Sequence, residues 1–290
     1  DNNQKKISSD LIYFLKLFFL INKHQPKIML NFNIKPVIYS NLVARILRIN
    51  TISMITGLGS SFLNKNIINN IVSFLYKISF RKSEKIYFQN YDDSNYFLKK
   101  KIINDSNNYD IIPGSGVDIK KFHYVQKKES TDIIFLLISR LLWDKGIREY
   151  IEAAEIFKQK NLLNVKFQII GNFDDKNSDS ISREYINYYH KKNIIEYLGF
   201  KEDVRQYIIN SDCVVLPSYR EGLPRALLES MSIGRPVIAS NVPGCSRLVE
   251  SGKNGFLCVV KDKFDLFDKV EIITINNKTF SLKNNLQLLV

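Results

Sequence analysis

Apolar residues along the chain fall into short continuous runs that alternate with segments of helical periodicity. The pattern is strongest in the second half. Ile133 to Ser139 is an apolar run of strand length, and Ile147 to Lys160 repeats apolar side chains at Ile147, Tyr150, Ile151, Ala154 and Phe157, one face of a helix. Further strands are expected at Val165–Ile170, Ile194–Leu198, Cys213–Pro217, Pro236–Ser240 and Phe256–Val259. Between them lie a polar loop at 172–180 and helices at 181–192, at 204–210 and from Pro224 onward. Proline suits a first helical position because its missing N–H would be unpaired there.

The first half follows the same rhythm less strongly. A helix over Leu11–Ile21, capped by Asp10, precedes a strand at Lys27–Phe32, a helix at Val37–Leu47 and a strand at Thr51–Thr56 that runs into Gly57-Leu58-Gly59-Ser60. A helix at Asn66–Phe80, a strand at Lys85–Gln89, a helix started by Asp92 or Asp93 and a short strand at Ile111-Ile112 complete it. Strands alternating with helices predict parallel, doubly wound α/β sheets, and 290 residues allow two domains. The expected division is an N-terminal Rossmann-like domain over 1–118, a Lys-rich linker over 119–131, a second such domain over 132–275 and an irregular tail over 276–290. In such sheets the loops at the carboxyl ends of the strands hold the ligand.

Composition narrows the classes. With 45% apolar residues the chain can bury a large core, which excludes disorder. The net charge is +13, unevenly spread: residues 1–118 carry 16 basic and 8 acidic side chains, residues 119–290 carry 26 and 21. Such a balance favours anionic partners, whether phosphorylated substrates, a membrane surface or nucleic acid. No aromatic-basic interleaving or recognition motif supports nucleic acid. The helix near Leu11 is apolar around most of its circumference. It reads either as a core helix packed on a sheet or as a membrane-facing helix flanked by Lys5, Lys6, Lys16 and Lys23. No run reaches the ~20 apolar residues of a membrane span, and the polar first ten residues carry no leader pattern. Cys213, Cys245 and Cys258 lack metal-type spacing and read as buried thiols in a reducing compartment.

The candidate chemistry gathers at strand ends. Glu221-Gly222-Leu223-Pro224-Arg225 follows an apolar strand and opens a helix whose N-terminus favours an anion. Glu229 sits just over one turn inside that helix. Arg140 and Lys145 follow the first strand of the second half, so their loop opens on the same sheet edge. Two cations there can neutralise a diphosphate, and arginine grips its oxygens bidentately. Two carboxylates beside an anion site fit the hydroxyls of a nucleotide sugar. Glu229 also reads as an i,i+4 ion pair with Arg225. Asp92-Asp93 reads as a helix cap and Asp174-Asp175 as an exposed loop, so no metal site is expected. His24, His123 and His190 have no strand-end context for a catalytic base.

Residues 132–260 resemble the C-terminal domain of glycosyltransferase family 4, which has the GT-B fold. Glu221 and Glu229 match its E-x7-E motif, and Arg140 and Lys145 match its diphosphate-binding cations. Gly234-Arg235-Pro236-Val237-Ile238-Ala239-Ser240 and Gly252-Lys253-Asn254-Gly255-Phe256 match its closing segments. In the first half, Thr56-Gly57-Leu58-Gly59, Phe88-Gln89-Asn90 and Pro113-Gly114-Ser115-Gly116-Val117-Asp118 resemble a surface-glycan branch that includes lipid-linked N-acetylgalactosaminyltransferases.

The resemblance implies a retaining, metal-independent transfer of a hexosamine or hexose from a UDP-sugar to a polyprenyl-diphosphate-linked acceptor. It places the enzyme in the cytoplasm, peripheral at the anionic inner face of the membrane. It assigns Glu221 to the sugar hydroxyls and the backbone of Gly222, Leu223 and Arg225 to the phosphates. Glu229 goes to the ribose, and Phe200 near the uracil unless it is core. The early N-domain histidine of many members is replaced by Leu30-Asn31-Phe32-Asn33. The family's first strand and Gly-rich loop are expected to be absent, truncating the N-terminal domain, and so is its crossing C-terminal helix. Asn241, Ser246 and Arg247 depart from the usual Asp, Arg and Glu. The alternative is a truncated, non-catalytic nucleotide-sugar-binding remnant.

Overall fold

The computed structural model describes residues 2–58, 67–104, 107–160 and 164–275. Gly59, Ser60 and the tail 276–290 lie outside the described residues, as do the side chains of Lys5 and Lys6. The chain divides into two compact units, residues 1–114 and 115–290. Both are parallel α/β sheets, as the alternating pattern predicts.

Unit 1 runs α1 (Asn2–His24), β1 (Ile28–Phe32), α2 (Ile34–Leu47), β2 (Asn50–Ile55), α3 (Ile67–Ser79), β3 (Ser83–Phe88), α4 (Tyr91–Lys99) and β4 (Tyr109–Ile111). Its strand order is β1-β2-β3-β4, all parallel. Right-handed crossovers in a sheet that grows in one direction put the connecting helices on one face. That face carries Ile55, Ile86 and Phe88, packed with Val37, Tyr76, Phe80 and Phe97. It also holds a buried polar chain: Asn31 Nδ2 donates to Asn41 Oδ1 at 2.7 Å, and Asn41 Nδ2 to Ser53 Oγ at 2.9 Å. Those bonds satisfy polar groups that burial would otherwise penalise, and they pin α2 to β1 and β2. On the opposite face Ile28, Leu30 and Phe32 of β1 are exposed.

Three sequence expectations need correction here. Asp10 does not cap a helix. It lies inside α1 and pairs with Lys35 at 2.7 Å. Nor is α1 a core helix on a sheet. It packs against α2, with Tyr13 edge-on to Tyr39, and leaves Leu11, Leu15 and Phe19 exposed. The cap of α4 is Asn90 rather than Asp92 or Asp93. Its side chain accepts the Asp93 N–H at 2.8 Å, and the Asp93 carboxylate accepts from Asn90 Nδ2 at 3.1 Å.

Unit 2 runs β5 (Ile133–Ile138), α5 (Ile147–Gln159), β6 (Val165–Ile170), α6 (Arg183–Lys191), β7 (Glu196–Tyr197), α7 (Arg205–Asn210), β8 (Cys213–Leu216), α8 (Arg225–Ile233), β9 (Val237–Ser240), β10 (Gly255–Cys258) and α9 (Lys263–Ile275). The order β10-β9-β8-β5-β6-β7 is doubly wound, with β5 at the centre. Central parallel strands are covered on both faces, which is why β5 is apolar throughout. Phe135 and Leu137 face a cluster built with α5 and α9, whereas Leu136 faces one built with α7 and α8. The expected linker 119–131 is packed on this unit. Phe122 joins the second cluster, and buried Arg235 donates to the carbonyls of Val125 and Ile209. Lys127 pairs with buried Asp212.

The strand reversal occurs where β5 lies beside β8. There Gly146 takes φ +69°, and a Cβ on it would sit 2.0 Å from the Pro217 carbonyl oxygen. Gly199 is also left-handed, at φ +76°, but has open space around it. Gly199→Ala is therefore expected to cost about 1 kcal/mol, the left-handed penalty alone. Gly146→Ala should exceed about 3 kcal/mol because the Pro217 backbone must also move. Denaturant unfolding of the two variants checks the difference.

Candidate nucleotide-sugar site

The site grows from the two loops at the β5–β8 switch point, where an open parallel sheet leaves a crevice for a ligand. After β5 come Ser139, Arg140 and a turn of 3-10 helix over Trp143–Lys145. After β8 come Ser218 to Pro224 and then α8. Lys145 Nζ reaches Glu221 Oε1 at 2.7 Å, with the two side chains 17% and 15% exposed. Two of the expected site residues, 76 positions apart, thus meet as a half-buried charge-assisted pair.

The helix mouth differs in one detail from the sequence reading. Pro224 is the N-cap of α8 in extended conformation (ψ 118°), and Arg225 is the first helical residue. Pro224 itself makes no side-chain cap bond. Gly222 packs beneath the loop after β9: a Cβ on Gly244 would lie 2.2 Å from the Gly222 carbonyl oxygen. Leu223 rests against the apolar cluster under α8.

Glu229 is 8% exposed and accepts from Arg225 Nη2 at 2.8 Å. The i,i+4 pair is therefore present. Burial raises the Glu229 carboxyl above its ordinary value, and the positive charges of Arg225 and Lys121 oppose that shift. Arg140 is 55% exposed, and its guanidinium pairs with Asp174 at 3.2 Å. Phe200 is 62% exposed in the loop after β7, so it is not core. The structure thus joins Lys145 to Glu221 and Arg225 to Glu229. It turns Arg140 toward Asp174 and leaves Phe200 standing free of the core.

Sequence reasoning missed several polar groups around this pair. The Asp144 N–H donates to Asp179 Oδ2 at 3.1 Å, while its carboxylate Oδ1 is buried without a partner among the described residues. Burial raises the Asp144 carboxyl, the charges of Asp179 and Glu221 add to the rise, and Lys145 and Arg140 oppose it. Asp174 and Asp175, read as a plain exposed loop, are counter-ions to Arg140 and Arg183. The available signal was the polar 172–180 loop itself, which follows β6 on the same sheet edge. Cys245 is buried near the pair, and burial together with Glu221 raises its thiol. Among the described residues, no group of three His, Cys, Asp or Glu side chains is placed to hold a metal ion.

With this geometry in hand, comparison with known proteins defines the class. The fold is GT-B. Sucrose-phosphate synthase of Thermosynechococcus elongatus superposes with a TM-score of 0.75 at 19% identity, over 94% of this chain and 71% of that one. HepE of Anabaena, solved with UDP and glucose, gives 0.74 at 20% identity, over 94% and 74%. The chain belongs to the glycosyl transferases group 1 family, whose profile matches residues 118–286, and a glycosyl transferase 4-like profile matches residues 2–90.

Two named relatives are similar along most of the chain. The N,N'-diacetylbacillosaminyl-diphospho-undecaprenol alpha-1,3-N-acetylgalactosaminyltransferase of Campylobacter jejuni is 29% identical over 78% of this chain, which spans 61% of that protein. The UDP-Gal:alpha-D-GlcNAc-diphosphoundecaprenol alpha-1,3-galactosyltransferase of Escherichia coli is 24% identical over 94% of this chain and 72% of its own length.

The raised Asp144 carboxyl has a signed consequence. A carboxyl whose folded value lies above its unfolded value near 3.8 holds its proton longer in the folded state, so stability falls as pH rises through that interval. Asp144→Asn removes this loss. Its Tm relative to wild type should rise as pH goes from 3.5 to 7, as read by thermal melts across that range.

Proposed function

We propose that the chain is a retaining glycosyltransferase that moves a hexosamine or hexose from a UDP-sugar to a polyprenyl-diphosphate-linked acceptor in surface-glycan assembly. The observation that carries the reading is the Lys145–Glu221 pair at the switch point, beside the N-terminal mouth of α8. Its two ends have complementary demands. The ammonium suits a phosphate oxygen, and the carboxylate suits the hydroxyls of the attached sugar. Both relatives named above act on diphospho-undecaprenol-linked sugars by their names, and the E. coli one uses UDP-Gal.

In the proposed reaction the bond between sugar C1 and the β-phosphate oxygen breaks, and an acceptor hydroxyl oxygen bonds to C1. The hydroxyl proton leaves to a phosphate oxygen or to water. Charge grows on the departing UDP, so cations placed beforehand lower the barrier without a metal ion. Lys145 and Arg140 take that role. Arg140 exchanges Asp174 for the diphosphate, which its exposure permits. The backbone at Gly222, Leu223 and Arg225 faces the phosphates, and Glu229 reaches back along its helix toward the ribose. Phe200 offers an exposed ring for the uracil. Action at the inner membrane face is supported by the basic excess of residues 1–118 and the exposed Leu11, Leu15 and Phe19 of α1.

Calorimetry with UDP tests the donor site, and folded protein that binds no UDP defeats the reading. UDP binding without turnover of UDP-N-acetylgalactosamine on a polyprenyl-linked acceptor leaves a nucleotide-sugar-binding protein instead. Glu221→Ala should lower transfer by about 100-fold or more while UDP affinity stays within about threefold. Loss of UDP binding with the sugar preference unchanged would reassign Glu221.

A further inference from the structure

The loops carrying Lys145 and Glu221 are tied together by a side chain that no motif singles out. Tyr219 lies two residues before Glu221. Its N–H donates to the carbonyl of Asp144 at 2.8 Å, and the same carbonyl accepts Ser218 Oγ at 3.2 Å. Its hydroxyl donates to Glu149 Oε1 at 2.8 Å. Glu149 belongs to the first turn of α5 and is buried, and its other oxygen, Oε2, has no partner among the described residues. One aromatic residue therefore holds both the peptide before Lys145 and the helix that follows it. Burial, reinforced by the hydrogen bond to Glu149, raises the phenol well above its ordinary value, so the hydroxyl stays a donor throughout the working range.

We propose that Tyr219 is a positioning residue for the transfer: its bond to Glu149 fixes how far Lys145 stands from Glu221, so that both reach one sugar diphosphate. The assignment rests on the UDP-sugar reading above for its chemistry, and on geometry alone for its structural part. Without the hydroxyl, both oxygens of buried Glu149 lack a partner among the described residues. The first turn of α5 then relaxes away from the 218–221 loop, and the Lys145–Glu221 pair opens. Misplacement of a catalytic cation by even about 1 Å is enough to slow a positioned reaction strongly.

The test uses the full chain and two readouts. The first is acylation of Lys145 by an N-hydroxysuccinimide ester, quantified by peptide mass spectrometry without nucleotide. The second is UDP release from UDP-N-acetylgalactosamine and UDP-galactose in the presence of the polyprenyl-linked acceptor. Tyr219→Phe keeps the ring and backbone and is expected to expose Lys145 to acylation. It should lower kcat about tenfold, with KM and UDP affinity within about threefold. Glu149→Gln retains an oxygen that accepts the hydroxyl, so Lys145 protection and kcat should stay near wild type. Glu149→Leu should reproduce Tyr219→Phe.

Unchanged Lys145 protection in Tyr219→Phe overturns the assignment, as does a Glu149→Gln variant as impaired as Tyr219→Phe. A lower Tm with protection and kcat intact marks a purely structural bond and overturns it as well. A wild-type chain that binds no UDP defeats the donor reading instead, and Lys145 protection then decides the role of Tyr219.

Discussion

The arrangement of the second unit depends on the close approach of Gly146 to Pro217. The strands that precede these residues, β5 and β8, are adjacent in the sheet but far apart in sequence. Their loops leave the sheet in opposite winding directions, so nothing in the winding itself keeps them together beyond the strand ends. Contact is restored by a backbone with no Cβ lying against a carbonyl. One residue earlier Lys145 can therefore meet Glu221, and Tyr219 can span from the Asp144 carbonyl to Glu149. Any side chain at 146 would separate the loops and dissolve the pair of charges on which the candidate chemistry rests.

Much of this fold was readable because continuous apolar runs leave few alternatives. The run Ile133 to Ser139 is too short for a helix of that character and too apolar for a half-exposed strand, and it is the central strand. The helix α9 was lost because its apolar residues are not confined to one face: Ile272 and Ile275 blur the stripe made by Leu266, Phe267, Val270 and Ile273. The local signal was Asp262, whose carboxylate accepts the N–H groups of Phe264 and Asp265. In unit 1, Asp10 had cap chemistry but lost that role because Lys35, 25 residues away, claims its carboxylate. Such a tertiary partner cannot be seen in a local window.

The site was legible in the same uneven way. Placing Arg140, Lys145 and Glu221 on one sheet edge follows from strand-end logic. Which cation meets which carboxylate does not, since it depends on strand order. Arg140 turned to Asp174, from a loop that spacing alone marks only as polar. Tyr219 was passed over because an aromatic residue in a loop carries no chemical signature until its hydroxyl partner is known. Glu149 was hidden for a different reason. A carboxylate in a first helical turn already has an ordinary explanation in the helix dipole, which gives no cause to look for a burial partner.

Stability alone does not explain the grouping of charges at this edge. Removing Lys145 and Glu221 from water costs each its hydration, and a half-buried pair recovers little more than that loss. Around them the balance is worse: Asp144 Oδ1 and Glu149 Oε2 are buried without partners among the described residues, and burial raises the carboxyls of Asp144 and Glu229. An apolar edge of the same shape would fold at least as well. The charged edge fits the proposed role, a set of groups held ready for an anion bearing hydroxyls. Its unfavourable electrostatics are sustained by the apolar clusters on both faces of the sheet and by the contacts that lock the two loops together.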